Sequence, residues 1–101
     1  MDLPDREYQW NDDKDHGLTL TRGISFEELL VAAANGHLLD VIESPSRRNQ
    51  KMLVVELRGY AYLVPFIENS DWVFLKTAYP NRDATRKYLA LDKGGPKNEE
   101  T

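Results

Sequence analysis

Cysteine is absent from this chain of 101 residues. That absence excludes a disulfide framework, a thiolate metal site and a thiol nucleophile together, and a reducing compartment is the simplest home for such a chain. Histidine is nearly as scarce. His16 and His37 are the only two; they fall on different predicted elements, and neither joins a Glu in the HExxH spacing of a helical zinc site. Asp12, Asp13, Asp15 and His16 crowd one helix start, an arrangement that serves helix capping and solubility more often than a divalent ion. The expectation is therefore no metal and no cofactor. No apolar run approaches the roughly 20 residues of a bilayer-spanning helix. The acidic opening Met1–Asp5 also lacks the basic-then-apolar order of a signal peptide. Together these predict a cytoplasmic protein with no membrane partner. A glycine-rich phosphate loop is missing too, because Gly94-Gly95 falls in the polar tail. Ser25 and Ser70 have no nucleophile-elbow context.

What the chain does have is a hydrophobic fraction of 41%, enough for one modest core and too little chain for a second domain. Glu7–Trp10 alternates polar and aromatic residues as a half-buried strand does. Asn11 or Asp12 then caps a helix running to Arg22 and ending at Gly23. Ser25 opens a second helix, with Ile24 and Leu29 at staple spacing and an apolar stripe of Phe26, Leu29, Leu30, Ala33 and Ala34; Asn35-Gly36 stops it. Strands follow at Leu38–Glu43, Met52–Leu57, Tyr60–Ile67 and Trp72–Thr77. A polar loop covers Ser44–Gln50, and Arg58-Gly59 forms a tight hairpin turn. Pro65 cannot donate to a ladder and predicts a bulge or a sheet edge. Tyr79-Pro80-Asn81 breaks the last strand, and Asp83–Leu91 carries Ala84, Tyr88 and Leu91 at helical spacing. The predicted fold is α+β: two N-terminal helices and a C-terminal helix on a mostly antiparallel, strongly twisted sheet of four to five strands. Residues 1–91 form the single domain, and the tail from Asp92 has a disordered composition.

The net charge of -4 is unevenly distributed. Asp2, Asp5, Glu7, Asp12, Asp13 and Asp15 outweigh Arg6 and Lys14 at one end. Lys76, Arg82, Arg86 and Lys87 outweigh Asp83 at the other. A local positive face on an acidic protein suits one or two phosphates rather than bulk coating of nucleic acid. Lys76 closes a strand, while Arg82 and Arg86 share one helix face, so three cations can meet one anion. Tyr60, Tyr62, Tyr79 and Tyr88 add rings that stack bases or serve the core and its rim. Cleaving RNA without metal needs a base for the ribose 2′-OH, cations for the crowded phosphorane and an acid for the leaving oxygen. Arg82 and Arg86 suit the cationic role. Lys76, Tyr79 or a histidine is open for the others.

These residues also carry a resemblance. Trp10 to Glu28 (WNDDKDHGLTLTRGISFEE) resembles the opening of the BrnT-like toxins, where a Trp-Asp and a Lys precede His-Gly, an aliphatic residue and a Ser-Phe or acid-Phe pair. Trp10, Lys14, Gly23, Ile24, Ser25, Phe26 and Glu27 occupy that pattern, with Asn11 in place of the Asp and Arg22 in place of the His. The stretches LLDVIE, NQKMLVVELRGYAYLVPF and FLKTAYPNRDATRKYL are similar to small proteins known as toxins. The family's Arg-x-Ala-(Thr/Ser) motif maps onto Arg82, Ala84 and Thr85 after two extra residues, and its following Glu is missing.

The resemblance implies a RelE-like ribonuclease that arrests translation and is silenced by a cognate antitoxin, often of ribbon-helix-helix type. The expected catalytic residues are Lys76, Arg82, Arg86 and Tyr79. The expected RNA-binding residues are Lys87, Tyr60, Tyr62 and Arg22. An antitoxin segment with acidic or aliphatic side chains is expected to cover Lys76–Lys87. The alternative is a noncatalytic RNA- or protein-binding module of the same fold, since no general base stands out.

Overall fold

Local chemistry sets the element ends. A computed structural model of the chain describes residues 1–89; the predicted end of the last helix at Leu91 and the tail from Asp92 lie outside the described residues. Strand β1 (Glu7–Trp10) leads into helix α1 (Asp12–Arg22), whose N-cap Asn11 accepts the Lys14 N–H at 3.0 Å. Gly23, at φ 68°, ends α1 in a left-handed cap that a side chain would strain. Helix α2 (Phe26–Ala32) begins with the full capping box: Ser25 accepts the Glu28 N–H and Glu28 accepts the Ser25 N–H. Asp15 adds a third tie by accepting the Phe26 N–H at 2.8 Å. The Asp12–His16 cluster thus spends one of its acids on joining α1 to α2. Beyond α2 the chain leaves helical geometry at Asn35 and Gly36, the latter at φ 98°, before β2 (Leu38–Glu43).

Strands β3 (Lys51–Leu57) and β4 (Tyr60–Glu68) form a hairpin over Arg58-Gly59, both at positive φ. Such a turn matches the twist of its strands. A non-glycine residue in the left-handed region needs holding, and Arg58 is held: its guanidinium donates to the Gly23 carbonyl and to Glu28. Strand β5 (Trp72–Leu75) and the two-residue β6 (Tyr79–Pro80) precede helix α3 (Arg82–Leu89). The sheet order is β1-β5-β4-β3-β2, antiparallel except for β1 beside β5, with β6 also on β4. The α+β class holds, with six strands where four to five were expected.

Pro65 explains β6. Its carbonyl accepts the Lys76 N–H at 2.8 Å, but proline has no N–H to return to the Lys76 carbonyl. The ladder between β4 and β5 therefore stops there, and the strand ends at Leu75 rather than at Thr77. Pairing resumes at Leu63 and Tyr79, leaving Thr77 and Ala78 opposite the single residue Val64. Lys76 and Thr77 therefore lie at the bulge, past the end of β5.

Alternation along the strands divides the core in two. Leu53, Val55, Val64, Phe66, Val73 and Leu75 face α1 and α2, packing on Leu18, Phe26 and Leu29. Met52, Val54, Ala61 and Leu63 face the opposite way and pack on Ala84 of α3, with Tyr79 and Tyr88 at the margin. The sheet is the middle layer, and the described part of α3, Arg82–Leu89, covers part of its own face. None of the described residues covers the remainder of that face.

Candidate functional site

That remainder is a groove of about 450 Å³ beside α3. Met52, Leu63 and Pro65 line it from the sheet; Lys76, Thr77, Tyr79 and Asn81 form one wall. The other wall is the β2–β3 loop, with Ser44, Ser46, Arg47 and Gln50. None of the described residues lining it carries a carboxylate. Among the described residues Lys76 and Arg47 have no acidic partner, whereas Arg6, Lys51, Arg58 and Arg86 are each paired with one. Two uncompensated cations in one concavity attract an anion strongly, because low-dielectric walls concentrate their field.

Each wall is set by backbone chemistry. Asn81 N-caps α3, its Oδ1 accepting the Ala84 N–H at 2.7 Å, while its own N–H donates to the Ala61 carbonyl at 3.0 Å. Thr85 is buried and completes the joint. Its hydroxyl accepts the Ala61 N–H at 3.0 Å and donates to the Asn81 carbonyl at 2.8 Å. The β4 backbone groups left beyond β6 are thereby satisfied by the start of α3. At the far end, Tyr88 donates to the Asp40 carboxylate at 2.7 Å. This bond, followed by the Val41 N–H, holds the Asp40 carboxyl below its usual range, and the same carboxylate pushes the Tyr88 phenol up to about 12. Among the described residues the Tyr79 hydroxyl has one polar contact, the Met52 sulfur at 3.8 Å. That contact is weak and easily exchanged for a ligand.

The expected site residues fall into three groups. Lys76 and Tyr79 line the groove together. Arg82, Arg86 and Lys87 lie on the exposed side of α3 next to it, with Arg86 paired to Asp83 at 2.7 Å and the Lys87 ammonium 5.2 Å from the Tyr88 ring. Tyr60, Tyr62 and Arg22 are on the other side of the molecule. Tyr62 packs into the α1–α2 core, Tyr60 shares its face by alternation with the rings 6.4 Å apart, and Arg22 is exposed at the end of α1. Ala84 and Thr85, the small residues of the Arg82 motif, are buried at the α3–β4 joint. Arg47 and Gln50 were passed over in sequence because a polar loop has no periodicity to orient it. The Arg47-Arg48 pair without an acidic neighbour was the available signal.

Neither histidine lines the groove. His37 pairs with Glu56 at a second cavity of about 500 Å³, between α2 and the hairpin. Glu27, Glu28 and Glu56 border that cavity against Arg58, a balance that repels phosphate. The Gly59 N–H, then His37, holds the Glu56 carboxyl below its usual range. Among the described residues no three His, Asp or Glu side chains gather as metal ligands, and no helix is long and apolar enough to cross a membrane. Comparisons with protein-family models, with curated proteins and with solved structures find no match to this chain.

Proposed function

We propose that this protein is the toxin of a toxin–antitoxin pair, a metal-independent endoribonuclease of the cytoplasm that halts translation by cutting RNA held in the groove beside α3. One observation carries the reading: Lys76 and Arg47, both without an acidic partner among the described residues, border with Tyr79 a groove lined by no described carboxylate. The resemblance of Trp10–Glu28 and of FLKTAYPNRDATRKYL to BrnT-like toxins supports it independently.

In the proposed reaction the ribose 2′-oxygen bonds to the adjacent phosphorus while the bond from phosphorus to the 5′-oxygen breaks. The 2′-OH proton passes to a base, and the departing 5′-oxygen gains a proton. Lys76 stabilises the charge gathering on the phosphorane, and Tyr79 carries a proton at the turn. Arg82, Arg86 and Lys87 guide the strand leaving the groove along α3. An antitoxin, expected to be of ribbon-helix-helix type, silences the protein by laying an acidic or aliphatic segment over Lys76–Lys87.

The test is incubation of purified protein with RNA in EDTA. Cleavage by the wild type that falls on Lys76→Ala and on Arg82→Ala is the expected result. Intact RNA, or equal cleavage by both variants, overturns the mechanism. A second reading, a noncatalytic RNA-binding module, is favoured by the absence of histidine and carboxylate from the described groove lining. Salt-dependent binding with intact RNA would establish it.

A further inference from the structure

We infer that the groove seats one unpaired nucleotide: its phosphate lies between Arg47 and Lys76, and its base lies on the Met52–Leu63–Pro65 surface beside Tyr79. The inference rests on the reading that RNA enters this groove, and it adds the β2–β3 loop as half of the site.

The groove walls hold several polar and charged groups without partners among the described residues. Among the described residues the side chains of Gln50, Ser44, Ser46 and Thr77 make no hydrogen bond within the protein, and Arg47 and Lys76 make no ion pair. A surface that merely solvates itself has no reason to gather them around one concavity. The groove is also not uniformly polar. Met52, Leu63 and Pro65 are buried side chains of the sheet that nevertheless reach its surface, and Tyr79 is only half-buried. An inorganic anion would use the cations and gain nothing from an apolar floor. A nucleotide uses both: phosphate for the cations, the face of the base for the floor and the tyrosine ring, and the Gln50 amide as donor and acceptor for a base edge.

The size agrees. About 450 Å³ is room for one nucleotide unit, and a base reaches such a floor only when it is unstacked and unpaired. A single-stranded site is therefore the consequence of the shape. The cavity bordered by Glu27, Glu28 and Glu56 offers the opposite charge and no comparable role.

Fluorescence anisotropy with a 5′-labelled 2′-O-methyl RNA hexamer, which lacks the nucleophilic hydroxyl, tests this. The competitors are an abasic hexamer of equal charge, a blunt duplex and inorganic polyphosphate. The intact hexamer should bind about tenfold or more tightly than the abasic one, the stacking of one base being worth that much. Arg47→Ala and Lys76→Ala should each weaken binding and lower the salt slope by about one. Lys14→Ala, an exposed cation on α1 at the far side of the sheet, should change neither. Equal affinity for intact and abasic strands, polyphosphate binding as tightly, or an unaffected Arg47→Ala overturns the inference. Failure of the ribonuclease reading looks different: base-dependent, Arg47-dependent binding with uncut natural RNA leaves this site standing. RNA cleavage with Arg47→Ala unaffected removes the site and leaves the enzyme.

Discussion

The Tyr88 hydroxyl donates to the Asp40 carboxylate at 2.7 Å, joining the last described turn of α3 to the edge strand β2. Both residues are half-buried, so the bond is partly shielded from water. Tyr88→Phe should destabilise the protein by about 1.5 kcal/mol in urea denaturation, the lower end of the range for a bond to a charged group. The pH dependence has two sides. Asp40 is depressed, so its contribution is present above about pH 4, its unfolded value, and is lost as pH falls through the lower folded value. Tyr88 is raised to about 12, so its contribution is present below about pH 10, its unfolded value, and is lost on the way to 12. Absorbance at 295 nm should show a late phenol titration that Tyr88→Phe removes; an unchanged curve would break the assignment.

Thr85 tests whether the Ala-Thr of the Arg82 motif serves the fold. Its hydroxyl answers both the Ala61 N–H and the Asn81 carbonyl from a buried position. Thr85→Val keeps the shape and strands the Ala61 N–H, which should cost about 1–3 kcal/mol. Thr85→Ser should restore most of it. If Thr85→Val instead kept full stability while abolishing activity, Thr85 would belong to the chemistry.

Glu68 accepts from Lys51 at 3.0 Å and pairs with Arg6 at 2.5 Å, and Lys51 foremost holds its carboxyl low. Arg6 sits just before β1 and Lys51 starts β3, so one carboxylate ties two strands to β4. All three side chains are partly exposed, which limits the effect. Glu68→Gln should cost under about 1 kcal/mol, and 1 M salt should erase the difference. A depressed carboxyl contributes above its unfolded value, so the wild-type advantage should vanish as pH falls below about 4.

Much of the local structure was written in short-range chemistry. The Ser25 capping box, the Gly23 helix stop and the Arg58-Gly59 turn each follow from residues within a few positions of one another. The parallel pairing of β1 with β5 was not legible, because it joins residues more than sixty positions apart. Pro65 was recognised as a ladder breaker, but its result, a bulge past the end of β5 followed by β6, depends on which strand lies beside it. The candidate site was half legible for the same reason. Lys76 and Tyr79 flank the bulge and meet in the groove; Arg47 arrives from a loop whose direction only the sheet order decides. Tyr60 and Tyr62 matched the tyrosine pattern, yet strand alternation sends Tyr62 into the α1–α2 core and Leu63 to the groove.

The cationic residues divide by environment, and activity should divide with them. Lys76 borders the groove without an acidic partner among the described residues, so Lys76→Ala removes charge from the place where the phosphorane would form and should lower kcat/KM by about 10²-fold or more. Tyr79→Phe keeps the ring and removes the proton, predicting a loss of about 10²-fold in kcat with little change in KM. Arg86 is exposed and already spends its charge on Asp83, so Arg86→Ala should raise KM by less than about tenfold and leave kcat alone. Single-turnover cleavage of a labelled RNA in EDTA reads all three. If Arg86→Ala proved as damaging as Lys76→Ala, the reacting phosphate would lie over the outer face of α3, and the groove would be only its approach.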